Sequence, residues 1–188
     1  VRADAARNLE LVLTTGARML AEDPATSIAA IAAEAGVDRR TVYRRFTSRE
    51  ELLTAVYQAR LDAIEAAIEA ARLREAPVPV ALYQYVQGIV RVNRTWPTEV
   101  SRMRSDPEIW ARRQRAVEEV DRFLKRATYE GFLRAGLPAR WPGSVLGALV
   151  RLSTKDLSVL NDVQAADVIV DTFLRALGTA SSLDRREW

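Results

Sequence analysis

Apolar residues recur three and four positions apart along nearly the whole chain, and strand-like alternation is nowhere sustained. Leu9, Leu13, Ala17 and Leu20 define a first helix that stops near Asp23-Pro24. Thr26 or Ser27 can cap a second, with Ile28, Ile31, Ala32 and Ala35 on one face, and Gly36 supplies the positive φ that ends it. Asp38 can cap a short third helix whose inward residues are Val42 and Phe46. Ser48 and Glu51 have the spacing of a capping box and open a fourth helix, which continues through Leu52, Leu53, Val56, Leu61, Ile64 and Ile68 to about Arg74.

"APVPV", residues 76–80, interrupts the pattern and is the strongest break along the chain. Beyond it come a helix around Leu82, Val86, Ile89 and Val90, breaks at Trp96-Pro97 and Asp106-Pro107, and a long helix carrying Val117, Val120, Leu124 and Ala127. "GLPARWPG" precedes two apolar helices, expected at about 144–158 and 164–177. The pattern predicts an all-α fold.

Composition narrows the chemistry. With 48 % hydrophobic and 28 % charged residues, 188 residues can close a real core under a polar surface. No apolar run approaches a membrane span and no leader precedes the first helix pattern, so the expectation is a cytoplasmic protein without membrane partners. The sequence starts at Val1 without a methionine, and any basic arm before it lies beyond this reading.

The chain has no cysteine and no histidine, which removes thiolate nucleophiles, cysteine-ligated zinc and imidazole acid–base catalysis. Neither a metal nor a cofactor is expected. Of 28 basic residues only Lys125 and Lys155 are lysines; the others are arginines.

Net charge is only +3, so the position of the charge matters more than its sum. Between Arg39 and Arg49 stand five arginines, and no acid follows until Glu50. In "AGVDRRTVYRRF", residues 35–46, Val42 and Phe46 lie four apart and face inward. Arg40, Tyr43 and Arg44 share another face, with Arg39 beside Tyr43. A charge run alone usually marks a solvated helix. Here it follows a short helix and a glycine turn and precedes a capped helix, which is a helix-turn-helix signature.

The stretch "TSIAAIAAEAGVDRRTVYRRFTSREELL", residues 26–53, resembles the DNA-binding domain of TetR-family transcriptional regulators. The resemblance lies in Ile-Ala, Ala-Gly-Val, Thr-x-Tyr-x-x-Phe and a base opening the fourth helix. It implies a three-helix helix-turn-helix domain over residues 1–50 and a helical ligand-binding and dimerisation domain over 51–188. It makes Arg39, Arg40 and Thr41 candidates for base contacts and Tyr43, Arg45 and Arg49 candidates for phosphate contacts. Arg44 could serve either role, and Thr26 and Ser27 complete the DNA-binding set. Two positions depart from the family pattern. Arg49 stands where lysine is usual, and Ala29 and Ala30 stand where polar residues are common.

By the same resemblance the last two helices of each chain form the interface of a homodimer. Leu146, Leu149 and Val150, with Ala166, Val170, Phe173, Leu174 and Leu177, are the stripes expected there, against the alternative of burial within one chain. Tyr83, Trp96, Met103, Trp110, Tyr129 and Trp141 are candidates to line a site for an unidentified small molecule. Trp96 and Trp110 are the preferred pair, with Asn93, Glu99, Arg102 or Arg104 as polar selectors. The expected function is a ligand-responsive regulator, a repressor, binding a palindromic double-stranded operator. The alternatives are a DNA-binding regulator without a ligand, and an α-helical enzyme using Glu118, Glu119 and Asp121.

Overall fold

The computed structural model describes residues 2–98 and 106–180, and within them the chain is helical. The helices are α1 (Arg2–Glu22), α2 (Ile28–Glu34), α3 (Arg39–Arg45), α4 (Arg49–Ala70), α5 (Val78–Thr95), α6 (Pro107–Tyr129), α7 (Trp141–Asp156) and α8 (Asp162–Leu177). Among the described residues the single β feature is an isolated bridge between Leu133 and Gly178. Met103, Glu99, Arg102 and Arg104 lie outside the described residues.

Boundaries follow local chemistry. Ser27, not Thr26, caps α2, its hydroxyl accepting from the Ala30 amide at 3.1 Å. The Thr26 hydroxyl instead donates to the Asp23 carbonyl at 2.8 Å. Gly36 takes φ +66°, the left-handed turn that ends α2 at little cost to a residue without Cβ. Asp38 caps α3 through the Thr41 amide at 3.1 Å.

At α4 the Ser48 hydroxyl accepts from the Glu51 amide at 3.1 Å, as the spacing predicts. The Glu51 carboxylate reaches back mainly to Thr47, accepting its amide at 2.6 Å and its hydroxyl at 3.0 Å. Those bonds hold the Glu51 carboxyl below its usual range. Asn161 and Gln164 form a reciprocal capping box that starts α8.

The chain divides into two compact units. The first holds the residues up to Ala63 together with the stretch from Arg94 to Arg112; the second holds Ile64–Asn93 and the stretch from Arg113 onward. In the first, α1 packs on α2 and α2 on α3. Val12, Leu13, Ala17, Leu20, Ile28, Ile31, Val42, Phe46, Leu52 and Val56 are buried there. Arg18 joins the two helices through Glu34 at 2.7 Å.

The second unit builds its core from α5 to α8 and the residues around Ala71–Val78. A Cβ at Gly88 of α5 would stand 2.9 Å from that of Ala67 in α4, so glycine is what permits this approach. Arg126 closes the α4–α5 connection by donating to the carbonyls of Arg74 at 2.7 Å and Ala76 at 2.6 Å.

The apolar stripes of α7 and α8 lie inside this unit. Leu146, Val150, Ala166, Val170, Leu174 and Leu177 are buried, Phe173 is fully buried, and Leu149 is partly buried against the same core. Phe173 and Leu174 close around Leu82, Phe123, Ala127 and Leu133 with a residual gap of about 10 Å³, space for one water at most. Within the single chain these side chains therefore pack into the unit's own core, the alternative of burial within one chain that the sequence left open. What α7 and α8 leave exposed is a different set, including Leu152 at 56 % and Val168 at 43 % exposure.

Candidate nucleic-acid interface

The turn at Gly36 and the Asp38 cap set the start of α3, and Val42 with Phe46 anchors its inner side. Everything else on the helix is outward. Arg39, Arg40, Thr41, Tyr43, Arg44 and Arg45 are all exposed. None of the four α3 arginines forms an ion pair among the described residues. Asp38, the nearest acid, is engaged in capping α3. Four unneutralised guanidinium groups on two turns of helix repel one another, and a polyanion relieves that repulsion.

One pair is organised further. The Arg39 guanidinium lies 5.2 Å from the centroid of the Tyr43 ring, a cation–π contact that fixes both side chains along one flank of α3. Asp38, Arg39, Arg40 and Tyr43 line an open hollow at the start of the helix.

Arg49 sits differently from the other arginines. It is partly buried, its Nε donates to the Thr26 carbonyl at 3.4 Å, and one of its terminal nitrogens donates to the Pro24 carbonyl. It holds the α1–α2 turn, directly before the Ser27 cap. This role was not legible in the sequence, because the bonded carbonyls lie 23 and 25 residues away. Ser27 is exposed beside that turn, whereas the Thr26 hydroxyl is already engaged with Asp23.

The described aromatic candidates are divided between the two compact units. Trp96 is buried and belongs, with the half-buried Trp110, to the compact unit that contains α3. Arg60 of α4 donates to the Trp96 carbonyl, and Arg112 of α6 pairs with Asp62 of α4 at 2.6 Å. Tyr83 belongs to the second unit, where its hydroxyl donates to the Val163 carbonyl at 3.4 Å. Burial, with Asp167 nearby, pushes the Tyr83 phenol above its usual range. Tyr129 at 93 % and Trp141 at 50 % exposure stand on the surface at helix ends. Asn93 is buried and donates to the Val150 carbonyl at 3.4 Å.

Of the three carboxylates of the enzyme alternative, Glu119 and Asp121 are held in ion pairs and Glu118 is exposed. Glu119 accepts both nitrogens of the Arg74 fork at 2.6 and 2.7 Å and also pairs with Arg122; the Arg74 bonds, then the Arg122 bond, lower its carboxyl to about 2. Asp121 lies 3.8 Å from Arg140. No cluster of three potential metal ligands occurs among the described residues, and none of their helices is long and apolar enough to cross a membrane.

Comparison with known proteins agrees with this geometry. Residues 13–56 match the family described as bacterial regulatory proteins, tetR family. Over 177 residues the chain is 30 % identical to the HTH-type transcriptional repressor LfrR of Mycolicibacterium smegmatis, covering 91 % of this chain and 88 % of that protein. The chain belongs to the TetR family. It is a transcriptional regulator with a helix-turn-helix, and the family is not one of enzymes.

The crystal structure of LfrR in complex with proflavine superposes with a TM-score of 0.70 at 28 % identity, over 89 % of this chain and 96 % of that one. CprB from S. coelicolor A3(2) reaches a TM-score of 0.79 at 15 % identity, covering 97 % and 94 % of the two chains, a likeness of fold alone. In a helix-turn-helix the second helix of the motif is the one that enters the major groove, and the second helix of this motif is α3.

Proposed function

We propose that this TetR-family regulator is a cytoplasmic repressor that binds a palindromic operator as a homodimer and leaves it when a small molecule binds. The observation that carries the reading is α3, with its anchors inward and four arginines outward without ion pairs. Residues 1–50 serve as the DNA-binding domain and 51–188 supply the ligand and dimer contacts. The repressor role follows LfrR, a named repressor of related sequence.

Dimerisation uses the outward faces of α7 and α8, where Leu152 and Val168 leave apolar surface exposed. A dimer sets two copies of α3 at a fixed separation, which must match about 34–36 Å per turn of the duplex. α4 contributes residues to both compact units, so a ligand that prefers another position of α4 would change that separation and release DNA by linkage. Because LfrR was crystallised with proflavine, a planar aromatic cation is the first ligand to try.

The test is a mobility-shift titration on duplexes selected from a random pool, repeated with proflavine. Stable shifts by a dimer, reversed by the cation, support the full reading. Binding that no aromatic cation alters would support a regulator without this ligand class. Absence of any DNA binding would refute the proposal.

A further inference from the structure

The exposed residues of α3 form three ridges around its axis. Val42 marks the buried side. At 3.6 residues per turn, Arg39 and Tyr43 lie to one side of it and Thr41 and Arg45 to the other, while Arg40 and Arg44 stand about half a turn away. When a helix enters the major groove with its core behind it, the ridge opposite the core reaches the base edges. The two flanks then face the sugar-phosphate walls of a groove about 12 Å wide. Arg39 is held on its flank by the stack on Tyr43. Arg40 and Arg44 are exposed and make no ion pair among the described residues, so both forks are open.

Resting on the DNA-binding reading above, we propose that Arg40 and Arg44 are the specificity-determining residues, and that each operator half-site carries two G·C pairs read through guanine O6 and N7. Guanine presents two acceptors to the five-donor guanidinium fork. Adenine presents one acceptor beside a donor, which opposes one arm of it. The spacing also follows. Four residues advance about 6 Å along the helix, close to two base-pair steps of about 3.4 Å, so roughly one base pair intervenes between the guanine pairs. Arg39, Tyr43, Thr41 and Arg45 then grip phosphates on both sides and add affinity without sequence preference.

The test is selection from a fully randomised duplex pool with the intact protein, alongside Arg40→Ala, Arg44→Ala and Arg39→Ala. The wild-type pool should converge on inverted repeats with two nearly invariant G·C pairs per half-site, about one base pair apart. Arg40→Ala should relax one of these positions and Arg44→Ala the other, each by roughly 5- to 150-fold in discrimination. Arg39→Ala should weaken all sequences alike. Conservative lysine variants at 40 and 44 should keep the salt dependence and weaken the guanine preference without abolishing it, because an ammonium can still reach O6 and N7 but lacks the planar fork.

Repeats whose fixed positions are A·T pairs would overturn the assignment and leave DNA binding intact. So would alanine variants at 40 and 44 that lose affinity equally for every sequence. A pool that enriches nothing would overturn the assignment and the DNA-binding reading together.

Discussion

Helices α3 and α8 show the same helical periodicity, yet one discloses its partner in sequence and the other does not. On α3 the outward residues are charged, and charge without a nearby counter-ion points outward to solvent or to a polyanion. On α8 the marked residues are apolar, and an apolar stripe says only that something covers it. In the structure that cover is the chain's own α5 and α6 around Phe173. Polar patterning identifies a face; apolar patterning identifies a need.

The largest expected effect tests this contrast directly. Phe173→Ala removes a fully buried ring from a closely packed core and should cost about 3–5 kcal/mol, read as a lower denaturation midpoint. If Phe173 faced a partner instead, stability would depend on protein concentration and the folded monomer would lose little.

Next in size is the converse variant, Leu152→Glu combined with Val168→Glu. Both positions are exposed in the chain, so circular dichroism should show an intact fold. Association should weaken by roughly 2–4 kcal/mol, the scale of central interface residues, and sedimentation should report a monomer. A variant that remains dimeric at micromolar concentration would move the interface away from these faces.

Arg49 separates fold from contact within the head. Arg49→Ala removes two donors from backbone carbonyls and should destabilise the protein by about 1–3 kcal/mol, visible in thermal melting. The salt slope of DNA binding should change little. A slope lower by about 0.9 per half-site, with an unchanged melting temperature, would make Arg49 a phosphate contact instead.

The smallest effect belongs to Glu119. Its folded pKa of about 2 lies below the ordinary 4.5 because Arg74 and Arg122 donate to it. The stabilisation is therefore complete above about pH 4.5 and is lost as pH falls toward 2. After screening, it amounts to about 1–2 kcal/mol at neutral pH. Glu119→Gln should remove it at every pH and flatten that part of the acid-unfolding profile.

Much of this protein is determined by interactions that span only three or four residues, and such interactions can be read from the chain itself. Helical period, the Ser48 and Asp38 caps, the Gly36 turn and the two-sided division of α3 are all of this kind. So are the breaks before Pro107 and Pro142, which fall at the first turns of α6 and α7. Tertiary structure alone decided where long-range partners meet. It turned Phe173 into its own core, set Arg49 against carbonyls of the α1–α2 turn, placed Trp96 in the unit that contains α3, and left Tyr129 in solvent. The physical reason is the same each time: a side chain's residue type fixes what it requires, but only the packed fold determines which distant group supplies it.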